Sequence, residues 1–253
     1  MRAVIERAAN LMRRLTPDAL SLRPVWLTTD TGVKVGIDSR LTLDMFCELF
    51  VTQPYAPALD LAERLDFVVD LGANRGLFVL FAEHYVRGRR PGTTPQFLCI
   101  EPAAENLRRL RRNIDANGLD ARVSVVQGVV SLQRSGVAEF YYAPHAHGMG
   151  AVVARRRVTT RRVPVVDLAA HVKCRRIDLL KIDVEGAEEG VIAAYRCVLE
   201  RTNVLVGEFH LRSIDYPRCQ SLLEAAGLQY RQRTFHFKDV LVVDVYARRD
   251  AVR

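Results

Sequence analysis

Runs of apolar residues alternate with longer amphipathic segments from residue 67 onward. Five apolar runs with strand-like composition are separated by helix-like segments. The runs lie at 67–71, 96–100, 122–127, 177–182 and 203–208, and the helix-like segments lie at 76–87, 103–117 and 185–199. Because buried strands that alternate with helices are typical of a parallel sheet covered on both faces, the pattern predicts an α/β, doubly wound fold.

The two ends of the chain and one internal stretch have other patterns. A basic amphipathic helix comes first, and then "VWLTTDTGVKVGID" contains the Asp-Thr-Gly turn of a small hairpin. We predict an N-terminal helix and hairpin cap at 1–60 and a main domain at 61–253 with an insertion at 137–166. The insertion holds a strand-like "VAEFYYA" and a Gly/His segment, "HAHGMGAVV". The tail, "QYRQRTFHFKDVLVVDVYA", predicts a strand, a turn and a strand.

Composition narrows the class of protein. The chain has 253 residues, 49% of them hydrophobic and 26% charged, which suits one globular domain. No apolar stretch approaches the roughly 18 residues of a membrane span, and the N-terminus is charged throughout, so we expect a cytoplasmic protein. The five cysteines are scattered without a C-x-x-C pair, which argues against a disulfide framework and a structural zinc site.

The net charge of +8 comes from arginine clusters. The cluster at 108–112 falls in a predicted helix and is expected to be a solvated face. The cluster at 155–162 follows the Gly/His segment and favours a small-molecule substrate that bears an acidic or phosphorylated group. Few aromatic residues interleave with these arginines, which disfavours a single-strand nucleic-acid platform.

The turn in "DFVVDLGANRG" follows the first predicted strand of the sheet, at the edge where open α/β folds bind ligands. No Lys-Ser/Thr pair follows, so a P-loop is excluded, and Asn74 and Arg75 break the G-x-G-x-x-G pattern of dinucleotide sites. Asp70 would also repel a pyrophosphate. S-adenosylmethionine fits better, because Asp70 can attract its ammonium and sulfonium groups directly or through water.

The ends of the next two strands offer further contacts. "FLCIEP" ends in Glu101, whose carboxylate could accept two hydrogen bonds from ribose hydroxyls. NAD enzymes share this feature, so Glu101 indicates an adenosyl ligand without selecting the cofactor. In "VVQGVVS", Gln127 and Val129 could border the adenine.

The fourth run, "IDLLKIDVEGAEEGVI", places Asp183 and Glu185 at the carboxyl edge of the sheet, beside the glycine turn. We assign Asp183 to the functional site. Lys181 is interpreted as a structural cation at a buried edge, and Glu188 and Glu189 as charges that interact favourably with a helix N-terminus.

These segments, in this order, resemble the FkbM-like S-adenosylmethionine-dependent methyltransferases. The resemblance covers about 64–235 and is carried by "FVVDLGANRG", "CIEPAAENLRRLRRNIDANGL", "VVQGVVS" and, most specifically, "DLLKIDVEGAEEGVI". It implies a Rossmann-like fold of seven strands and O-methylation of a hydroxyl on a sugar or other secondary metabolite. By this resemblance the first cofactor motif comprises Asp70, Gly72, Asn74 and Gly76, and Glu101 is the ribose-binding acid.

An aliphatic hydroxyl acceptor would require a base or a metal ion. The candidates are Asp183, Glu208 and His210, the last two from "VGEFH" at the end of the fifth run, together with His145 and His147 of the insertion. Asp183, Glu208 and His210 could also hold a divalent cation. However, no H-x-H or D-x-D run enforces ligand spacing, so no metal site is predicted.

Two other activities stay open. A nucleic-acid methyltransferase would suit the basic charge, but no Asn/Asp-Pro-Pro-aromatic segment is present to bind a flipped base. An NAD-dependent oxidoreductase is disfavoured by the missing middle glycine. The sequence does not fix the oligomeric state, and a homo-oligomer is compatible with it.

Overall fold

The structure is a computed structural model, and it describes residues 24–142 and 159–248. The predicted N-terminal basic helix lies outside the described residues. So do His145, His147 and the rest of the Gly/His segment.

The centre of the fold is a seven-stranded sheet. Its strands are β3 (Phe67–Leu71), β4 (Gln96–Glu101), β5 (Val123–Gln127), β8 (Ile177–Ile182), β9 (Thr202–His210), β10 (Gln229–Phe237) and β11 (Leu241–Ala247), and their order is β10-β11-β9-β8-β3-β4-β5. Neighbouring strands from β5 to β9 are parallel, and β11 runs antiparallel to both of its neighbours. This arrangement confirms the predicted seven-stranded, doubly wound sheet and the two strands of the tail.

Helices cover both faces of this sheet. The described helices are α1 (Arg40–Cys47), α2 (Ala56–Leu61), α3 (Leu77–Arg89), α4 (Ala104–Asp115), α5 (Leu168–Val172), α6 (Glu188–Ala194), α7 (Arg196–Leu199) and α8 (Tyr216–Ala225). One buried cluster joins α1 to α4 with one face of the sheet, and the other joins α5 to α8 with the opposite face. Successive side chains of β3 point to opposite faces of the sheet, so Val68 packs in the first cluster and Val69 in the second.

The predicted helix at 185–199 is wrong in its bounds. Glu185 has φ 54° and Gly186 has φ 99°, and these left-handed conformations cannot continue a right-handed helix. Helix α6 therefore begins at Glu188, and the helical stretch breaks at Tyr195 before α7. The loop at 183–187 is thereby left free to shape a pocket.

The described part of the predicted cap is a hairpin, β1 (Val25–Thr28) and β2 (Lys34–Ile37), followed by α1, a π-helical turn (Glu48–Thr52) and α2. It packs into the same buried cluster as α3. An ion pair ties it to the glycine turn: Nη1 of the buried Arg75 lies 2.9 Å from Oδ1 of the half-buried Asp38. The cap is thus held directly against the edge of the sheet at which β3 ends.

The described part of the insertion is a second antiparallel hairpin, β6 (Val137–Tyr142) and β7 (Thr159–Pro164). It is separate from the main sheet and is linked to it by a bridge between Val129 and Val165. Its second strand therefore ends beside the segment that follows β5.

Two further findings concern the described residues as a whole. No described helix has the length and apolar character needed to cross a membrane. The five cysteines, which all lie among the described residues, are free thiols.

Candidate functional site

The order of the strands reverses direction between β3 and β8, which is where doubly wound sheets form ligand crevices. The two strand ends meet closely here, and the backbone N–H of Asp183 donates to the carbonyl of Leu71 at 3.1 Å. Gly72 has φ 76°, and a Cβ on it would lie 1.7 Å from the carbonyl oxygen of Asp183. Only glycine allows this approach.

A pocket of about 290 Å³ opens above these strand ends. Predicted site residues line its floor and one wall, namely Gly72, Asn74, Glu101, Val129 and Asp183. The insertion hairpin closes it on the other side through its residues 138–140. We call this cavity the cleft.

Glu101 lies at the base of the cleft and is 4% exposed. Its Oε1 accepts from the N–H of Ala103 at 2.9 Å and from Nδ2 of Asn106 at 3.0 Å, and its Oε2 accepts from the N–H of Asn74 at 2.9 Å. Burial outweighs these hydrogen bonds and raises the pKa of Glu101 to about 7. The side chain is therefore held rigidly, with capacity for a further donor.

Asn74 joins the glycine turn to the cleft. Its φ of 48° turns the backbone N–H toward Glu101. Its side-chain Oδ1 is buried and has no hydrogen-bond partner among the described residues. Since a buried acceptor without a partner is costly, this oxygen is available to a further hydrogen-bond donor.

Three predicted cofactor residues lie outside the lining of the cleft. Gly76 begins α3 with φ 76°, and a Cβ on it would lie 3.0 Å from Cγ of Leu110, so its role is close helix packing. Gln127 is exposed, and its amide donates to the carbonyl of Pro102 at 3.3 Å. Asp70 is fully buried.

Asp70 has a partner within the chain. Nζ of Lys181 lies 3.2 Å from Oδ1 of Asp70 and 3.3 Å from Oδ2 of Asp183. Burial by itself would lower the pKa of Lys181, but the two carboxylates raise it, so the ammonium stays charged. The expected direct attraction between Asp70 and a cofactor cation is therefore not supported, because Lys181 already neutralises that carboxylate.

A second pocket, of about 130 Å³, adjoins the cleft on the side of the cap. The two pockets share Gly72, Asn74, Asp183 and Glu185 as a common wall. The other walls come from the cap, α3 and the strands β8 and β9: Met45, Glu48, Leu49, Tyr55, Ala73, Leu77, Phe78, Lys181 and Glu208. We call this cavity the cap pocket.

Glu208 is the carboxylate of β9 in the cap pocket, and the hydroxyl of Tyr55 donates to its Oε1. Burial, followed by repulsion from Glu48, raises the pKa of Glu208 to about 7. A carboxylate with such a pKa can accept a proton efficiently near neutral pH.

His210, also on β9, lies outside both pocket linings and between two carboxylates. Its Nε2 is 3.1 Å from Oε2 of Glu185, and its Nδ1 is 2.9 Å from Oε1 of the fully buried Glu188. Burial by itself would lower the pKa of His210, but the two carboxylates raise it to about 11. This arrangement therefore favours the protonated imidazole, which is not available as a base.

Three side chains could instead hold a divalent cation. Ligand atoms of Asp183, Glu185 and His210 all lie within 4.8 Å of one another. With a neutral imidazole, Glu188 could orient the ring through Nδ1 in the way that carboxylates support metal-bound histidines. With a protonated imidazole, His210 itself forms ion pairs with Glu185 and Glu188.

Several residues of the site escaped the sequence analysis. Glu188 was interpreted as a helix charge, yet it is buried against His210 and accepts from the N–H of Gly186 at 2.9 Å. Asn106 follows Glu101 by five residues, and that spacing across a strand–helix junction is the signal that could have identified it. Glu48 and Tyr55 carried no such signal, because they reach the site only through packing of the cap.

Comparisons with known proteins identify the family to which this chain belongs. The family model for the methyltransferase FkbM domain matches residues 70–236. A protein from Beauveria bassiana called methyltransferase 1 is 27% identical over 192 residues, which cover 66% of this chain and 73% of that protein. The crystal structure of methyltransferase FkbM from Methylobacillus flagellatus aligns with a TM-score of 0.52 and 13% identity, over 95% of this chain and 58% of that one.

The structural likeness supports the fold, and the family match spans most of the sheet, from the end of β3 to β10. That span includes the glycine turn, Glu101, Asp183 and the end of β9. The chain belongs to the family of the methyltransferase FkbM domain, and the site at the ends of β3 and β8 lies within that domain.

Proposed function

We propose that this methyltransferase uses S-adenosylmethionine to methylate a hydroxyl group of a small molecule, such as a sugar or another secondary metabolite. The observation that carries the proposal is the common wall of the two pockets at Gly72, Asn74, Asp183 and Glu185. Methyl transfer requires donor and acceptor to be held against each other, and positioning accounts for much of the rate enhancement.

The residues of the cleft fit this cofactor. Glu101 can accept hydrogen bonds from ribose hydroxyls, and the unpartnered Oδ1 of Asn74 can accept from an ammonium group. Val129 offers an apolar surface to an adenine ring. When bound, S-adenosylmethionine supplies an electrophilic methyl group on a positively charged sulfur.

The residues of the cap pocket fit the binding and deprotonation of the acceptor. We assign Glu208 as the general base that takes the proton of the acceptor hydroxyl, and Tyr55 as the residue that positions its carboxylate. Asp183 borders both pockets and is held by Lys181, so we assign it to orienting the acceptor. His210 fixes the 183–187 loop through Glu185 and Glu188.

The size and lining of the cap pocket support a small acceptor over a nucleic acid. Its volume of about 130 Å³ suits a small functional group. Carboxylates at its wall would repel the phosphates on which nucleic-acid binding depends.

The test combines binding with product analysis. Calorimetric titration should show that S-adenosylhomocysteine binds and that NAD does not. Incubation with labelled S-adenosylmethionine and a panel of hydroxylated small molecules should then yield an O-methyl product, identified by NMR. Binding of NAD without S-adenosylhomocysteine would refute the proposed cofactor, and methylation of nucleic acid alone would refute the proposed acceptor class.

A further inference from the structure

The cap pocket is strongly asymmetric in charge. Four carboxylates line it, namely Glu48, Asp183, Glu185 and Glu208, against the single ammonium of Lys181. Lys181 also balances the fully buried Asp70, which lies 3.2 Å away. The pocket therefore carries a net negative charge.

Two of the four carboxylates have a cation nearby. Asp183 lies 3.3 Å from Lys181, and Glu185 lies 3.1 Å from His210. Among residues 24–142 and 159–248, neither Glu48 nor Glu208 has a cationic side chain within 4 Å. Because both carboxylates line the cap pocket, a positive charge placed between them would be attracted by both.

The remaining walls are apolar or aromatic. Leu49, Leu77 and Phe78 are buried side chains, and Met45 is partly buried beside them. The rings of Tyr55 and Phe78 already lie within 6.0 Å and 5.8 Å of the Lys181 ammonium. Aromatic faces stabilise nearby cations, so the walls suit a ligand with an apolar body and a positive charge.

We infer that the acceptor is a small alcohol that also carries a protonated amine, and that Glu48 at the mouth of the cap pocket binds this amine while Glu208 faces the hydroxyl. The inference rests on the proposed function and specifies its substrate class. It replaces the expectation of an anionic acceptor, which was drawn from the arginines at 155–162. Of these, Arg161 pairs with Glu105 at 2.6 Å, and residues 155–158 lie outside the described ranges.

The test uses three probes of nearly the same shape: benzylamine, benzyl alcohol and benzoate. Each is titrated into the full chain saturated with S-adenosylhomocysteine, and the methyl signal of Met45 is followed by NMR. Met45 is one of four methionines and lines the cap pocket, so its signal, assigned with Met45→Leu, reports on this site. We expect benzylamine to shift this signal with a Kd at least tenfold lower than that of benzoate.

Matched variants identify the charge that selects the probe. Glu48→Gln should reduce the preference for benzylamine over benzoate about threefold or more. Glu200→Gln, which changes an exposed carboxylate paired with Arg196, should leave the preference unchanged. Benzoate that binds as tightly as benzylamine, or benzylamine that leaves Met45 unshifted, would overturn the inference alone. Failure of S-adenosylhomocysteine to bind would overturn the proposed function together with it.

Discussion

The cleft and the cap pocket share a wall but are assembled differently. The cleft is made mainly of short segments that directly follow β3, β4, β5 and β8. The cap pocket combines residues from distant parts of the chain, as in the contact between Tyr55 and Glu208, which are 153 positions apart. The geometry of the cleft is thus encoded locally at strand ends, whereas that of the cap pocket depends on how the cap packs on the sheet.

The most damaging change to the common wall should be Gly72→Ala. Its Cβ would collide with the carbonyl of Asp183, so we expect the free energy of unfolding to fall by about 4 kcal/mol, with loss of cofactor binding. Gly92→Ala is the matched control, since Gly92 has φ 90° and no atom within 4 Å of its Cβ position. It should cost only about 1–2 kcal/mol in urea unfolding. If the two variants lost the same free energy of unfolding, the close approach of Gly72 to the Asp183 carbonyl would be unimportant for stability.

Glu208→Gln should affect the cap pocket alone. If Glu208 takes the proton of the acceptor, turnover should fall about 100-fold or more, while the Kd of S-adenosylhomocysteine stays within about twofold. Turnover is measured as release of S-adenosylhomocysteine with an acceptor from the product screen. Undiminished turnover would rule out Glu208 as the base. If chelators abolish activity in the wild type and Glu208→Gln stays active, we would instead assign activation of the acceptor hydroxyl to a metal ion held by Asp183, Glu185 and His210.

Glu101→Gln should affect the cleft alone. The amide keeps the shape of the side chain but loses the charge that strengthens hydrogen bonds to ribose hydroxyls, so the Kd of S-adenosylhomocysteine should rise about tenfold to 100-fold. Glu224→Gln, on an exposed surface of α8, serves as the control. An unchanged Kd in titration calorimetry would exclude Glu101 from ribose binding.

The smallest expected effect is on the pH dependence of cofactor binding. The pKa of Glu101 is about 7, so the carboxylate form gains population as the pH rises from 6 to 8. Because the carboxylate accepts hydrogen bonds better than the acid, the affinity for S-adenosylhomocysteine should rise about threefold across this interval. The rise should disappear in Glu101→Gln and persist in Glu208→Gln. A rise that persists in Glu101→Gln would assign the titration to another group.

The same contrast explains what the sequence could predict. The five parallel strands largely coincide with apolar runs of the sequence, and Gly72, Glu101 and Asp183 lie at their carboxyl ends. The hydrophobic pattern therefore located both the strands and these site residues. The bounds of α6 depended on the left-handed backbone at Glu185, which no apolar pattern reports. The pairing of Asp70 with Lys181, and of His210 with Glu188, depends on side chains that meet across neighbouring elements, and a single sequence contains no record of such contacts.

The central claim is that the cofactor occupies the cleft with its reactive end at the wall shared with the cap pocket. A crystal structure of the complex with S-adenosylhomocysteine tests this most directly. We predict ribose hydroxyls within hydrogen-bond distance of the Glu101 carboxylate, and the sulfur beside Asp183 and facing Glu208. A sulfur placed at the opposite end of the cleft, beneath the insertion hairpin at Phe140, or a ligand that leaves Glu101 without a contact, would contradict the account.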